Sequence, residues 1–323
     1  MTVYMDDMAI HTAQRTEETE DNHVARHRTI VNQVLQKLND HNLYLNPDKC
    51  DFELPHIDFL SVQVVNETVQ MEQGKVDKVK EWKPLRNITE VQQFLGFTGY
   101  YRYFIQGYSQ ITRPLLDLTK KVTPWHWEKE QQGAFEGLHD KMCEKPILQQ
   151  PNFEKTFYLQ TDASAYGVGA ILSQEGEPTN SKPKCHPVAY YSATFTPTEQ
   201  QYNIYKREFL AVIKALENWR AYLIWTKTPF IIETNHKNLT FWKSLKKLNG
   251  RMAQWHKHLQ DYDFRIVHIV GKINTPANVL SRPPGADVVE DSREMALLPS
   301  KLFLNIFGAD SDGSLKYQIV LTQ

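Results

Sequence analysis

The chain has 323 residues, 41% of them hydrophobic, and its 37 Lys and Arg residues almost balance its 38 Asp and Glu residues. This length and composition predict a globular protein of about two domains. Because the net charge is near zero, overall charge is excluded as a source of affinity for nucleic acid, and any such affinity has to come from a local patch.

The spacing of the cysteines and the length of the apolar runs indicate the cellular compartment of the protein. The three cysteines, Cys50, Cys143 and Cys185, lie far apart with no Cys-x-x-Cys pair, so neither a disulfide framework nor a structural zinc site is indicated. No apolar run approaches the roughly 18 residues that a membrane span needs, and the N-terminus has no signal-peptide pattern. We therefore expect an intracellular protein, cytoplasmic or nuclear, with no membrane partner.

Two adjacent acids, Asp6 and Asp7, stand where two short strands are predicted to meet in the stretch from Thr2 to Thr12. Their charges repel each other, and a bound divalent cation would relieve that repulsion. The pair is therefore a candidate metal site, with an exposed turn as the alternative.

The next part of the chain predicts a core-facing helix, a hairpin and a helical region. Apolar residues recur at helical spacing from Val24 to Leu38, and apolar and polar residues alternate from Phe59 to Met71. From Lys75 to about Pro151 the pattern is helical, and Thr89 with Gln92 is predicted to form a capping box.

The stretch from Phe157 to Leu172 is predicted to form a hairpin, with the carboxylate of Asp162 at the end of its first strand. Small residues follow this acid and would let a phosphate backbone approach closely, which suits a metal-dependent cut of a nucleic acid. An Asp that opens an ordinary turn is the alternative.

A long helix is predicted from Gln200 to Leu223, with Glu208 on its apolar stripe. A carboxylate in such a place needs a partner or a metal ion. The remaining predicted elements are strands at Pro187–Ser192, Pro229–Thr234 and Phe264–Val270, a last helix at Pro276–Arg282, and an acidic, polar linker after Pro284.

A basic stretch without acids lies between Glu233 and Asp261. Basic groups can replace counterions along phosphates, and aromatic faces can stack on bases, so this stretch is a candidate nucleic-acid groove. A solvated helix face with core aromatics is the alternative. Its cations are Lys237, Lys243, Lys246, Lys247, Arg251 and Lys257, and its interleaved aromatics are Phe241, Trp242 and Trp255.

Six motifs follow one another in a specific order and spacing. They are Tyr4-Met5-Asp6-Asp7, Leu45–Phe52, Phe94–Ile105, Thr161–Ser164, Tyr202–Glu208 and Thr234–Leu239. In this order they are similar to the polymerase metal-binding turn, the end of the palm, the thumb and connection, and three parts of ribonuclease H. Over nearly its whole length the chain resembles the Pol polyprotein of gypsy-class long-terminal-repeat retrotransposons.

The resemblance implies a protein of the α+β and α/β classes. It divides the chain into the C-terminal part of a reverse-transcriptase palm (1–73), a helical thumb and connection (74–150), an RNase H-like domain (151–285) and an acidic polar linker toward a missing downstream integrase region (286–323). The RNase H-like part is expected to be a mixed five-stranded sheet with flanking helices. The implied partners are double-stranded nucleic acid, RNA·DNA hybrids and other Pol domains.

Ribonuclease H of this family binds two divalent ions, Mg²⁺ or Mn²⁺, through four carboxylates. The resemblance places them at Asp162, Glu208, Asn235 and Asn278, where the last two are Asn in place of the family's Asp. Two ions about 4 Å apart repel strongly and need those negative charges. We therefore expect one metal ion to bind poorly and two hardly at all, and RNA cleavage to be impaired, with Asp162 and Glu208 as the remaining metal ligands.

The polymerase site of the family needs a further Asp from a strand well upstream, whereas Met1 stands three residues before Tyr4. We therefore expect Asp6 and Asp7 to lack a metal partner and the chain to show no primer extension. The implied function is that of an RNA-directed DNA polymerase and ribonuclease H, impaired in this chain. A non-catalytic nucleic-acid-binding or protein-binding module and an unselected remnant are the alternatives.

Overall fold

A computed structural model describes residues 2–5, 7–12, 15, 17–54, 56–65, 68–121, 123–144, 146–176, 185–244 and 250–269. These residues form an N-terminal hairpin followed by a long helix, then a four-stranded sheet with helices, then a five-stranded sheet with helices. The mixed α and β fold class predicted from the sequence is confirmed.

The N-terminal hairpin consists of β1 (Thr2–Tyr4) and β2 (Asp7–Ala9), which pair antiparallel as predicted. Helix α1 (Glu20–Asp40) follows and is capped by Thr19. None of its residues is fully buried, so the prediction that it faces a core is wrong. Its apolar stripe is only half-buried because the described residues place no sheet closely against it.

The four-stranded sheet and four helices enclose the first hydrophobic core. The strands, in spatial order, are β3 (His56–Phe59), β4 (Val62–Val65), β5 (Thr68–Met71) and β6 (Leu148–Gln149), all antiparallel. The helices are α2 (Gln73–Lys80), α3 (Ile88–Tyr100), α4 (Tyr108–Leu118) and α5 (Lys129–Cys143). Apolar side chains at the helical spacing of the sequence fill this core, among them Phe94, Leu115 and Leu138.

Helix α3 is capped by Asn87 and not by the predicted box. Asn87 Oδ1 accepts a hydrogen bond of 2.9 Å from the backbone N–H of Glu90. Thr89 and Gln92 lie within the first turns of the helix. The predicted capping box is wrong because Asn87, a strong cap two residues before Thr89, already serves the exposed N–H group.

The turn between β3 and β4 has a strained backbone. Leu60 and Ser61 have φ angles of 49° and 61°, in the left-handed region that glycine favours. Two hydroxyl groups of α3 and its C-cap hold this turn: Tyr100 donates to the oxygen of Leu60 at 2.6 Å, and Tyr101 donates to that of Ser61 at 3.2 Å.

We expect Ser61→Gly to raise the free energy of unfolding by about 1 kcal/mol, because glycine adopts this φ without the steric cost that a Cβ imposes. Urea denaturation of both proteins measures the difference. Ser109→Gly is the matched control, since Ser109 lies in α4 with ordinary helical geometry and should lose stability instead. A loss of stability in Ser61→Gly would contradict the prediction.

The five-stranded sheet is mixed, as predicted. Its strands are β7 (Phe157–Ala163), β8 (Gly167–Glu175), β9 (Cys185–Thr194), β10 (Phe230–Thr234) and β11 (Phe264–His268), in the spatial order β11-β10-β7-β8-β9. The first three form an antiparallel meander, and β10 runs parallel to both β7 and β11. Strands β10 and β11 both run in the direction of β7, so their C-terminal ends lie at the same edge of the sheet as Asp162.

The long helix predicted from Gln200 to Leu223 is divided in the structure. Asn203 Oδ1 accepts a hydrogen bond of 3.0 Å from the N–H of Lys206 and starts a new helix there. The continuous helix is wrong because this Asn acts as an N-cap inside the predicted span. The helices are α6 (Pro197–Gln200), α7 (Ile204–Asn218), α8 (Arg220–Leu223) and α9 (Gly250–Leu259).

The two sheets share a packed seam. Tyr103 packs against both hydrophobic cores, and the backbone N–H of Ser109, in α4, donates to Ser192 Oγ, in β9, at 3.0 Å. Strand β9 therefore packs against α4 and β6, which belong to the four-stranded sheet and its helices.

Within the described ranges, no helix has both the length and the apolar character to cross a membrane. The predicted helix at 276–282 and the linker after residue 285 lie outside the described residues.

Candidate functional site

Asp162 and Asn235 meet at one edge of the five-stranded sheet. Asp162 lies near the end of β7 and is 3% exposed. Strand β10 runs parallel to β7, so Asn235, the next residue after β10, arrives beside it. Asn235 Nδ2 donates to Asp162 Oδ1 at 3.1 Å. Two of the predicted site residues are therefore in contact.

Glu208 lies on α7, which packs across β7, and it is 4% exposed, as its place on the apolar stripe predicts. The backbone N–H of Ala163 donates to its carboxylate. Its Oε2 is buried and has no hydrogen-bond partner among the described residues. Burial first, and the charge of Asp162 second, raise the pKa of Glu208 well above its usual value.

Arg207, next to Glu208, holds the loop that follows β7. Its Nη1 donates to the backbone oxygen of Ser164 at 3.0 Å. Ser164 Oγ in turn accepts from the N–H groups of Tyr166 and Gly167 at 3.0 and 3.2 Å. Consecutive residues of α7 therefore contact the last residue of β7, Ala163, and the first residue of this loop, Ser164. Arg207 was not predicted as a site residue, although it lies within the motif Tyr202–Glu208 and next to Glu208.

Two histidines lie close to Asn235, and sequence analysis singled out neither. His268 Nε2, at the end of β11, lies 3.2 Å from the backbone oxygen of Asn235 and donates to it. His236 is 6% exposed, burial lowers its pKa, and its ring packs against Tyr205 with centroids 5.7 Å apart. His236 is thus a neutral core residue, while His268 borders the site.

The other predicted residues of the two metal sites are Asp6, Asp7 and Asn278. Asp7 begins β2 and is exposed, whereas Asp6 and Asn278 lie outside the described residues. Over the described ranges, no group of three or more His, Cys, Asp or Glu side chains could hold a metal ion.

Of the six predicted cations, Lys237, Arg251 and Lys257 are exposed. The Arg251 guanidinium lies 5.0 Å from the centroid of the Tyr202 ring, so it packs as a cation on an aromatic face. Lys246, Lys247 and the side chain of Lys243 lie outside what the structure describes.

One tryptophan of the basic stretch belongs to the core, and the other is partly buried against it. Trp255 is 9% exposed and packs against Phe209, with centroids 5.6 Å apart. Trp242 stacks on Phe264 at 5.4 Å. Trp255 therefore fits the alternative of a core aromatic, whereas stacking of Trp242 on bases stays a prediction.

Two family descriptions match the chain. The reverse transcriptase (RNA-dependent DNA polymerase) family matches residues 1–96. The RNase H-like domain found in reverse transcriptase matches residues 152–262, which include Asp162, Glu208 and Asn235.

Polyproteins of retrotransposons align with most of the chain. The transposon Tf2-3 and Tf2-4 polyproteins of Schizosaccharomyces pombe are each 38% identical to it over 281 residues, which is 86% of this chain and 20% of each polyprotein. This is a Pol sequence of the gypsy-class retrotransposon type. It carries a reverse-transcriptase part and an RNase H-like domain, as its motifs predicted, and it spans about a fifth of the length of the polyproteins it matches.

Solved structures share the fold of this Pol sequence. A foamy viral protease-reverse transcriptase in complex with double-stranded DNA has a TM-score of 0.62 and 20% identity, over 76% of this chain and 43% of that chain. The foamy viral enzyme in complex with an RNA/DNA hybrid has a TM-score of 0.62 and 19% identity, over 76% of this chain and 33% of that chain.

Reverse transcriptases and ribonucleases H generally depend on divalent metal ions, but the described centre of this Pol sequence does not fit a pair of them. Its two carboxylates are Asp162 and Glu208, and Asp162 Oδ1 already accepts an amide hydrogen from Asn235. Two ions about 4 Å apart repel strongly and require more negative charge than two carboxylates supply.

Proposed function

We propose that this Pol sequence binds double-stranded nucleic acid, RNA·DNA hybrids in particular, and that it cleaves the RNA strand weakly at most. In the whole polyprotein its two parts would serve RNA-directed DNA synthesis and RNA cleavage, in the cytoplasm or nucleus, beside the other Pol domains. The family matches support this assignment, as do the nucleic-acid complexes of the foamy viral proteins.

The observation that carries the proposal is the neutral amide of Asn235, which donates to the buried carboxylate of Asp162. Cleavage by two metal ions needs charge that stabilises both the attacking and the leaving oxygen, and the amide supplies none. Binding has different requirements. Lys237, Arg251 and Lys257 are exposed, and each cation that reaches a phosphate adds counterion release whether or not a metal ion is present.

Binding is expected to be independent of divalent ions, insensitive to sequence and strongly dependent on salt. A titration of a labelled RNA·DNA hybrid in EDTA should give a log–log slope of affinity against salt of a few units, since each phosphate contact contributes about 0.9. Absence of binding at low salt, or binding that ignores salt, would overturn the proposal.

Charge reversal tests which Lys side chains contribute to nucleic-acid binding. Lys237→Glu with Lys257→Glu should weaken binding to every sequence about tenfold and lower the salt slope by roughly two. Lys227→Glu is the matched control. Lys227 is 67% exposed and pairs with Glu154. It lies before β10, at the end of that strand opposite to Asn235, and is therefore away from the candidate site. Equal effects of the control and the double variant would assign binding to another surface.

A further inference from the structure

Asn235 compensates the buried charge of Asp162 with a hydrogen bond from the protein itself. The amide nitrogen lies 3.1 Å from Asp162 Oδ1, and Asp162 is 3% exposed. A buried carboxylate needs a counterion or hydrogen-bond donors. Because a carboxylate oxygen accepts, the amide must present its nitrogen and not its oxygen to Asp162, and it therefore supplies a donor where a cation would otherwise act.

Neighbouring backbone holds this amide in place. His268 Nε2 donates to the backbone oxygen of Asn235 at 3.2 Å. On the preceding residue, Thr234, the backbone oxygen accepts from the N–H of Ile269 at 2.9 Å and the Oγ1 accepts from the N–H of His236 at 3.1 Å. Strands β10 and β11 therefore direct the side chain at Asp162 without help from a ligand.

The second carboxylate also has a donor from the protein. The backbone N–H of Ala163, the last residue of β7, donates to Glu208, and Arg207 donates to the backbone oxygen of the next residue, Ser164. Glu208 Oε2 is buried and has no hydrogen-bond partner among the described residues. Mg²⁺ in proteins is held by one or two carboxylates and keeps several waters, and the burial of this oxygen leaves it no contact with solvent.

We propose that Asn235 takes the place of a bound cation, so that the RNase H-like domain keeps its two buried carboxylates without a divalent ion. Asn235→Asp would turn a second carboxylate directly toward Asp162 and restore the need for a cation. This inference is independent of the proposed binding function because its test contains no nucleic acid.

The test is thermal unfolding of the full chain in EDTA, in millimolar Mg²⁺ and in millimolar Mn²⁺. The melting temperature of the wild-type protein should change by less than about 1 °C, since an ion that does not bind the native state does not stabilise it. Asn235→Asp should melt roughly 5–10 °C lower than wild type in EDTA and regain several degrees in Mn²⁺.

Asn152→Asp is the matched control. Asn152 is exposed, and its Oδ1 accepts a hydrogen bond of 2.9 Å from the N–H of Glu154. An Asp side chain could accept the same hydrogen bond. We expect it to show no response to Mn²⁺. Stabilisation of the wild-type protein by several degrees in Mn²⁺ would overturn the inference, even if Asn235→Asp failed to fold. Equal melting of wild type and Asn235→Asp in EDTA would overturn it as well.

Discussion

The double variant Asn235→Asp with Asn278→Asp is expected to cleave the RNA strand of an RNA·DNA hybrid in Mg²⁺ at least about a hundredfold faster than the wild-type chain. Losing one electrostatic partner of a transition state costs on the order of 10²–10³ in rate, and the double variant raises the number of carboxylates at the predicted positions from two to four. Cleavage of a hybrid with labelled RNA, followed under single-turnover conditions, measures the difference.

Two controls make this result specific. Adding Asp162→Asn to the double variant should abolish the recovered cleavage, because Asp162 lies at the centre of the site and contacts residue 235 directly. Asn152→Asp adds an acid on an exposed loop and should restore nothing. If wild-type protein cleaves as fast as the double variant and loses that activity in Asp162→Asn, the proposed impairment is wrong.

Gly167→Ala should lower the free energy of unfolding by about 3 kcal/mol, the upper part of the range for overpacking. A Cβ at this position would lie 2.4 Å from the backbone oxygen of Ala193 and 3.2 Å from Thr194 Cα, both in the adjacent strand β9. Backbone of a paired strand cannot move aside as a flexible side chain can. Urea denaturation at neutral pH measures the loss.

Gly96→Ala provides the comparison. A Cβ at Gly96, within α3, would have no heavy atom within 4 Å, and alanine favours a helix over glycine by up to about 1 kcal/mol. Its stability should therefore rise. Loss of stability in both variants to the same degree would show that the contact with β9 is not what makes Gly167 necessary.

Local patterns in the sequence predicted much of this fold. Alternation gave β7 and β8, and the helical stripe placed Glu208 among apolar residues, where it is 4% exposed. Two errors arose where an Asn side chain caps a helix at a residue that the sequence pattern did not predict. Asn203 divides the helix predicted from Gln200 to Leu223, and Asn87 moves the cap of α3 away from Thr89.

The contacts of the candidate site could not be predicted in the same way. Asn235 reaches Asp162, 73 residues away, only because β10 pairs parallel with β7. The bond from Arg207 to Ser164 likewise depends on where α7 crosses the sheet. Family motifs predicted which residues belong to the site, but strand pairing determines which atoms face each other. The roles of these residues remain predictions for the experiments above.

The contact of Tyr103 with both cores determines where this chain could be joined to a relative. A chimera with its junction at residue 150 would take β9 away from α4, leaving Tyr103 and Ser192 against foreign surfaces. A junction before β3 would transfer both sides of the seam together and keep the four-stranded sheet whole. Recombination between related retrotransposons, in genomes or in the laboratory, is therefore expected to yield folded products more often when the four-stranded and five-stranded sheets are inherited together.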